Sequence, residues 1–101
     1  MRDDFSLKEC MIMIKIKDSN LGDPLTLTIT RLANICEVSV TNKRLWNVLR
    51  YLFDEGIILH TSQIGSSKII SVKKSKLEEV IECQKILIPI FEYYENNNIV
   101  L

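Results

Sequence analysis

The fold is decided by one stretch of sequence, LWNVLRYLFDEGIILHTSQIGSSKIISV, which runs from Leu45 to Val72. Its first half has the amphipathic pattern of a helix. One face carries Leu45, Val48, Leu49 and Leu52, and the opposite face carries Lys43, Asn47, Arg50 and Asp54. Apolar residues at intervals of three and four are typical of an α-helix packed on a core. Gly56 stands where a helix needs a left-handed residue to end. We therefore expect a helix that leads directly into β-structure.

The second half of this stretch predicts a β-hairpin over residues 57–73. Ile57–Ser62 and Lys68–Lys73 have the β-branched composition of strands. The intervening Gln63–Ser67 contains Gly65, which permits a positive φ in the turn. Helix, glycine and hairpin therefore follow one another without a long linker.

A first helix is predicted over residues 5–18. Ser6 and Glu9 have the spacing of a capping box, and apolar residues follow at helical intervals. A strand is the competing interpretation, because Ile12, Ile14 and Ile16 alternate with other residues and β-branched side chains disfavour helices slightly. We predict the helix.

Two further elements are expected before the decisive stretch. Leu25–Leu27 has the composition of a short strand, and Thr28 can cap a helix over residues 28–36. The only alanine, Ala33, leaves room for a closely crossing helix. Ser39 or Thr41 can then cap the third helix, which we predict over residues 41–55.

The C-terminal part predicts a long helix over residues 76–95. Ser75 and Glu78 repeat the capping-box spacing, and Pro89 is expected to kink or interrupt the helix. The segment ILIPIFEYY, residues 86–94, is very apolar for the surface of a small domain, which favours a homodimer. The predicted dimer interface consists of Ile81, Leu87, Ile88, Phe91 and Tyr94. The alternative is that this helix covers its own sheet.

Length and composition indicate one ordered cytoplasmic domain. The chain has 101 residues, and 47% of them are hydrophobic, which supports a packed core. No apolar run is long enough for a membrane span, and the start, MRDDFSLKEC, has an acidic pair where a secretory signal would carry positive charge. The three cysteines are odd in number and far apart, so we expect buried thiols rather than disulfides.

The residue types argue against an enzyme. His60 is the only histidine, no cysteines have zinc-ligand spacing, and only three glycines are present, so no phosphate-binding glycine loop is formed. No catalytic residue, metal or cofactor is predicted, and no small-molecule effector is indicated.

Charge is unevenly distributed in a chain whose formal net charge is zero. Between Arg31 and Lys76 there are eight basic and three acidic residues, whereas from Leu77 onward there are one basic and five acidic residues. A basic central segment and an acidic C-terminal segment are typical of a domain that binds a polyanion through one face. A merely solvated lysine-rich surface would have the same composition.

The order helix, strand, helix, turn, helix, glycine and hairpin resembles the winged helix-turn-helix family of DNA-binding domains. The resemblance lies in LAN at Leu32–Asn34, in VSVTN at Val38–Asn42 and in LRYLFDEGII at Leu49–Ile58. It covers about Leu25–Lys73. The sequence departs from the family in a turn that is one or two residues longer, and Glu37 replaces the glycine that is often found there.

The resemblance implies an α+β fold, mainly α, with a hairpin "wing" and double-stranded DNA as the partner. In the family the third helix enters the major groove, which is wide enough for one helix. The residues that would contact DNA are Thr41, Asn42, Lys43, Asn47 and Arg50 on the helix and Gly65, Ser66, Ser67 and Lys68 in the wing. Any of them could instead be an ordinary solvated polar residue.

These features together predict a homodimeric transcriptional regulator that binds specific DNA sequences. Trp46 and His60 are not included in the site, because an aromatic at the edge of an apolar helix face usually packs and a strand histidine usually lies on the surface. The alternative function is a winged-helix module for protein assembly, in which Trp46, Phe53 and the segment 86–94 bind a protein.

Overall fold

The protein is described by a computed structural model that covers residues 4–65 and 67–84. The described residues form four helices and three strands. They are α1 (Leu7–Asp18), β1 (Leu25–Thr28), α2 (Ile29–Ile35), α3 (Lys43–Asp54), β2 (Ile58–Ile64), β3 (Ser67–Val72) and α4 (Lys74–Glu82). The domain is α+β, as the sequence predicts, and the expected elements appear in the expected order.

The three strands form one antiparallel sheet in the order β1-β3-β2. Leu25 lies opposite Val72, and Ile58 lies opposite the same residue on the other side of β3. The hairpin is confirmed, but β2 continues two residues beyond the predicted Ser62, so the turn is shorter than expected. A bulge between His60 and Ser62 shifts the register within the hairpin.

The first segment is a helix and not a strand. Ser6 caps α1 with both bonds of the capping box, since its hydroxyl accepts from the Glu9 amide and the Glu9 carboxylate accepts from the Ser6 amide. Ile12, Met13 and Ile16 are buried on one side of α1. Ile12 and Met13 are consecutive and Met13 and Ile16 are three apart, so they share one side only in a helix. In a strand, consecutive side chains would point to opposite faces.

α2 ends with a left-handed residue at Glu37, whose φ is +58°. The Val38 amide donates to the Ala33 carbonyl and the Glu37 amide donates to the Asn34 carbonyl, which is the hydrogen-bond pattern of a Schellman C-terminus. Glu37 therefore occupies the backbone position that favours glycine. Its carboxylate also accepts from the Lys15 ammonium at 2.7 Å, which ties the turn to α1.

α3 is held in place by its buried apolar face. Leu45, Val48, Leu49 and Leu52 are completely inaccessible to solvent. The helix is capped by Asn42, whose side-chain oxygen accepts from the Leu45 amide, so the expectation that Thr41 or Ser39 caps it is wrong. At the other end Gly56 adopts a φ of +72°, as predicted, and the chain turns into β2.

α4 begins without the predicted capping box at Ser75. Its first residue is Lys74, and the preceding Lys73 makes no side-chain cap. The Lys74 amide instead donates to the Asp23 carboxylate at 3.0 Å, and the Lys74 ammonium donates to the Ser19 carbonyl. The loop after α1 therefore supplies the cap of α4. The predicted continuation to residue 95 and the kink at Pro89 lie outside the described residues.

The core is formed by all four helices against one face of the sheet. Cys10 and Cys36 are buried in it, and burial raises the pKa of each thiol to about 11. Cys83 is exposed, so the expectation of three buried thiols is wrong for this residue, which lies just beyond the last turn of α4. In residues 4–65 and 67–84, no helix is both long and apolar enough to cross a bilayer.

Candidate nucleic-acid interface

The outward side of α3 presents a polar face made of Lys43, Asn47, Arg50 and Asp54. Lys43, Asn47 and Arg50 are exposed and lie at i, i+4 and i+7, within one narrow sector of the helix. The buried leucine face opposite fixes the rotation of the helix. Burial of one side therefore determines that these three side chains project together into solvent.

The acidic end of this face limits where an anion can approach. Asp54 lies one turn beyond Arg50, and both line a shallow depression together with Asn47 and Tyr51. A carboxylate at this position repels phosphate, whereas Lys43 at the other end of the helix attracts it. The arrangement favours contact through the part of α3 that precedes Asp54.

The turn before α3 uses two of the predicted contact residues for its own structure. Asn42 is half-buried and its side-chain oxygen is engaged as the helix cap. The hydroxyl groups of Thr41 and Ser39 are 2.9 Å apart and hydrogen-bonded, and the Thr41 amide donates to the Ser39 hydroxyl. Thr41 remains exposed, so its side chain is accessible, but the Asn42 oxygen already has a partner.

The hairpin lies beside α3 and is fixed to it by an aromatic contact. The rings of Phe53 and His60 are stacked, with centroids 4.9 Å apart and an interplanar angle of 17°. His60 is exposed on β2, as expected for a strand histidine, but it also joins the hairpin to the helix. This contact joins the base of the hairpin to the C-terminal turn of α3.

Toward its tip the hairpin has a polar surface. A shallow depression is lined by His60, Thr61, Ser62, Gln63 and Lys68. Lys68 is exposed, and Gly65 has a φ of +59°, which confirms the predicted left-handed turn residue. The side-chain amide group of Gln63 donates to the Gly65 carbonyl and thereby orders the turn. Ser66 and the side chain of Ser67 lie outside the described part of the chain.

Trp46 lies on the exposed surface of α3, although the sequence analysis does not include it in the DNA-binding site. Its side chain is 37% exposed, and its indole N–H donates to the Val40 carbonyl. Val40, itself 38% exposed, lies next to it. The helical pattern places Trp46 at the edge of the apolar face and cannot show whether another element covers it. The sequence feature that could have indicated its exposure is its position between the polar residues Lys43 and Arg50.

The predicted dimer interface is described only in part. Ile81 is 5% exposed and packs within the core of its own protomer. Leu87, Ile88, Phe91 and Tyr94 lie outside the described residues. The homodimer stays a prediction from the apolar composition of residues 86–94.

The described residues contain no group of three or more histidine, cysteine, aspartate or glutamate side chains that could hold a metal ion. No protein-family model matches the sequence, and no curated protein or solved structure is detectably similar to it.

Proposed function

We propose that the chain is a winged helix-turn-helix domain that binds specific sequences of double-stranded DNA and acts as a homodimeric transcriptional regulator. The order of elements supports this proposal. Helices α2 and α3 are followed by the hairpin β2–β3, and β3 also pairs with β1, the short strand that precedes α2. This arrangement places the hairpin beside the third helix, as in the family that the sequence resembles.

The proposal rests mainly on one observation. Lys43, Asn47 and Arg50 project from one exposed sector of α3 while the opposite sector is fully buried. A helix presented in this way fits the major groove of B-DNA, whose width accommodates one α-helix. The basic side chains of Lys43 and Arg50 are complementary to the phosphates that border the groove.

The residues have distinct roles in this proposal. Asn47 has the donor and acceptor pair that matches the major-groove edge of adenine, and Arg50 can bond the two acceptors of guanine. Lys43, with the Thr41 hydroxyl nearby, contacts phosphate and positions the helix without reading sequence. Lys68 on the hairpin contacts a neighbouring phosphate, so that helix and wing bind one DNA segment together.

The homodimer would present two such surfaces to DNA. Two-fold symmetry matches a palindromic site whose half-sites are about one helical turn, roughly 34–36 Å, apart. A dimer also doubles the number of phosphate contacts, which matters for a protein whose total formal charge is zero.

Binding to random duplex DNA at two salt concentrations tests the proposal. We expect affinity at low salt that falls steeply as salt rises, because counterions are released from the neutralised phosphates. The double variant Lys43→Ala, Arg50→Ala should lose affinity and show a shallower salt dependence. The double variant Lys8→Ala, Lys17→Ala, which removes two positive charges from α1, is the matched control. Absence of duplex binding at low salt would overturn the proposal.

A second function is favoured by the exposed pair Val40 and Trp46. An apolar side chain and an indole at the surface of a small domain suit a protein partner. In this case the chain is a winged-helix assembly module and its basic residues are incidental. The same binding experiment discriminates, since an assembly module shows no salt-dependent affinity for duplex DNA.

A further inference from the structure

Trp46 is the only tryptophan in the chain, and its environment differs from that of a core aromatic. Trp46 is more than one-third exposed, and its indole N–H already has a hydrogen-bond partner in the Val40 carbonyl. The indole N–H, the only polar group of the side chain, is therefore already engaged, and what the ring can offer a partner is its apolar surface. The bond to Val40 favours one orientation of the ring, which lowers the conformational entropy that is lost on contact.

The charged neighbours of Trp46 indicate which surface it meets. Lys43 precedes it by three residues and Arg50 follows it by four, so both lie beside it on the helix surface. Asn47 is the adjacent residue. A partner that covers the indole must also cover two exposed cationic side chains, and this combination suits a polyanion with apolar groups on its surface.

We propose that Trp46 is a specificity-determining residue that contacts the 5-methyl group of thymine in the major groove. This inference rests on the proposed function and extends it. The thymine methyl group is the apolar feature that the major groove displays, and it identifies the base without a hydrogen bond. The indole surface, flanked by Lys43 and Arg50, reads a thymine, while the Asn47 amide, one position further round the helix, reads adenine.

Intrinsic fluorescence gives a direct test, because every change in tryptophan emission reports on Trp46. The probe is a duplex selected by the protein itself from a random pool and labelled with a dye outside the tryptophan emission range. Anisotropy of the dye measures binding, and tryptophan emission is recorded in the same titration. We expect emission to change with the same binding isotherm as the anisotropy.

A thermodynamic cycle tests the thymine contact itself. Replacing each thymine of the selected duplex with uracil removes one methyl group and changes nothing else. Wild-type protein should bind the thymine form about fourfold more tightly for each methyl group that is buried. Trp46→Ala should bind both forms equally, and Trp46→Phe, which keeps an aromatic surface, should retain part of the preference.

Controls separate this inference from the proposed function. Leu21→Ala removes an exposed apolar side chain of the loop after α1 and should leave the thymine preference unchanged. Thermal unfolding verifies that the Trp46 variants are folded. Duplex binding without any change in emission, or a thymine preference that survives Trp46→Ala, overturns the role of Trp46 and leaves the DNA-binding proposal standing. Failure to select any duplex overturns both.

Discussion

The carboxylate of Glu37 accepts a hydrogen bond from the ammonium group of Lys15 at 2.7 Å, across the boundary between α1 and the turn that precedes α3. Glu37 is also the residue with a left-handed backbone in that turn. A single residue thus reverses the chain and attaches the turn to the first helix. The direction in which α3 leaves the turn depends on both contributions.

The ion pair makes stability depend on pH in a defined direction. The bond from Lys15 lowers the pKa of the Glu37 carboxyl below its ordinary value. A carboxyl group whose pKa is lower in the folded state stabilises the folded protein at pH values above its unfolded pKa. This stabilisation is lost as the pH falls through the folded pKa. We expect Glu37→Gln to have a slightly lower melting temperature than wild type at neutral pH, and the gap to close in acid. The gap is small because the pair is exposed. Thermal unfolding at several pH values measures it, and a gap independent of pH would contradict the assignment.

The cap of α3 provides a second prediction. Asn42→Ala should reduce the free energy of unfolding by about 1 kcal/mol, because the Leu45 amide loses its partner. Asn42→Ser should retain most of the stability, since serine also caps helices well. Chemical denaturation measures both variants. Equal losses for alanine and serine would show that the side chain stabilises the turn in some way other than capping.

Packing of the α3 apolar face is tested by Leu49→Ala. Leu49 is fully buried, and a leucine-to-alanine change in such a position costs about 2–5 kcal/mol. Leu59→Ala is the matched control, because Leu59 is largely exposed on β2 and should cost much less. Urea denaturation compares the two variants. Similar losses would mean that α3 does not bury this face in solution.

Arg50 is expected to contact a base. Arg50→Ala should weaken binding to a selected duplex by about 1–3 kcal/mol and relax the preference for one base pair. Arg50→Lys keeps the positive charge but cannot form the two parallel hydrogen bonds. Compared with Arg50→Ala, it should therefore restore more of the salt-dependent affinity than of the base-pair preference. Binding to duplexes that differ at single base pairs measures both effects. A uniform loss across all sequences would assign Arg50 to phosphate instead.

If the protein is a homodimer, its mass in solution and the effects of two substitutions can be predicted. Light scattering at micromolar concentration should give about twice the monomer mass of 11.7 kDa. Phe91→Lys should shift the protein toward the monomer, whereas Ile81→Ala should lower stability because Ile81 packs in the protomer core. A monomer mass for the wild-type chain would eliminate the dimer.

The order of the helices and the hairpin could be predicted from the sequence because each depends on a local pattern. The leucines of α3 repeat at helical intervals, and Gly56 ends the helix with a conformation that few other residues adopt. The capping box at Ser6 lies entirely within four residues. Information of this kind is present in a short window of sequence.

Other features depend on which parts of the folded chain meet, and the sequence could not specify them. Ser39, Thr41 and Asn42 are all good capping residues, and only the path of the turn decides that Asn42 caps α3. Ser75 has the spacing of a cap, but the partner of α4 comes from Asp23, far away in sequence. Trp46 lies at the edge of the helix pattern, and its exposure depends on whether a neighbouring element covers it.

The two contacts of Lys74 with the loop after α1 limit how this protein can be engineered. Asp23 and Ser19 hold the start of α4 through the Lys74 amide and ammonium groups. A circular permutant with new termini between Ser19 and Asp23 would separate these two partners and release α4 from one of them. An exposed loop, usually a good choice for a cut or an inserted tag, is here a poor one.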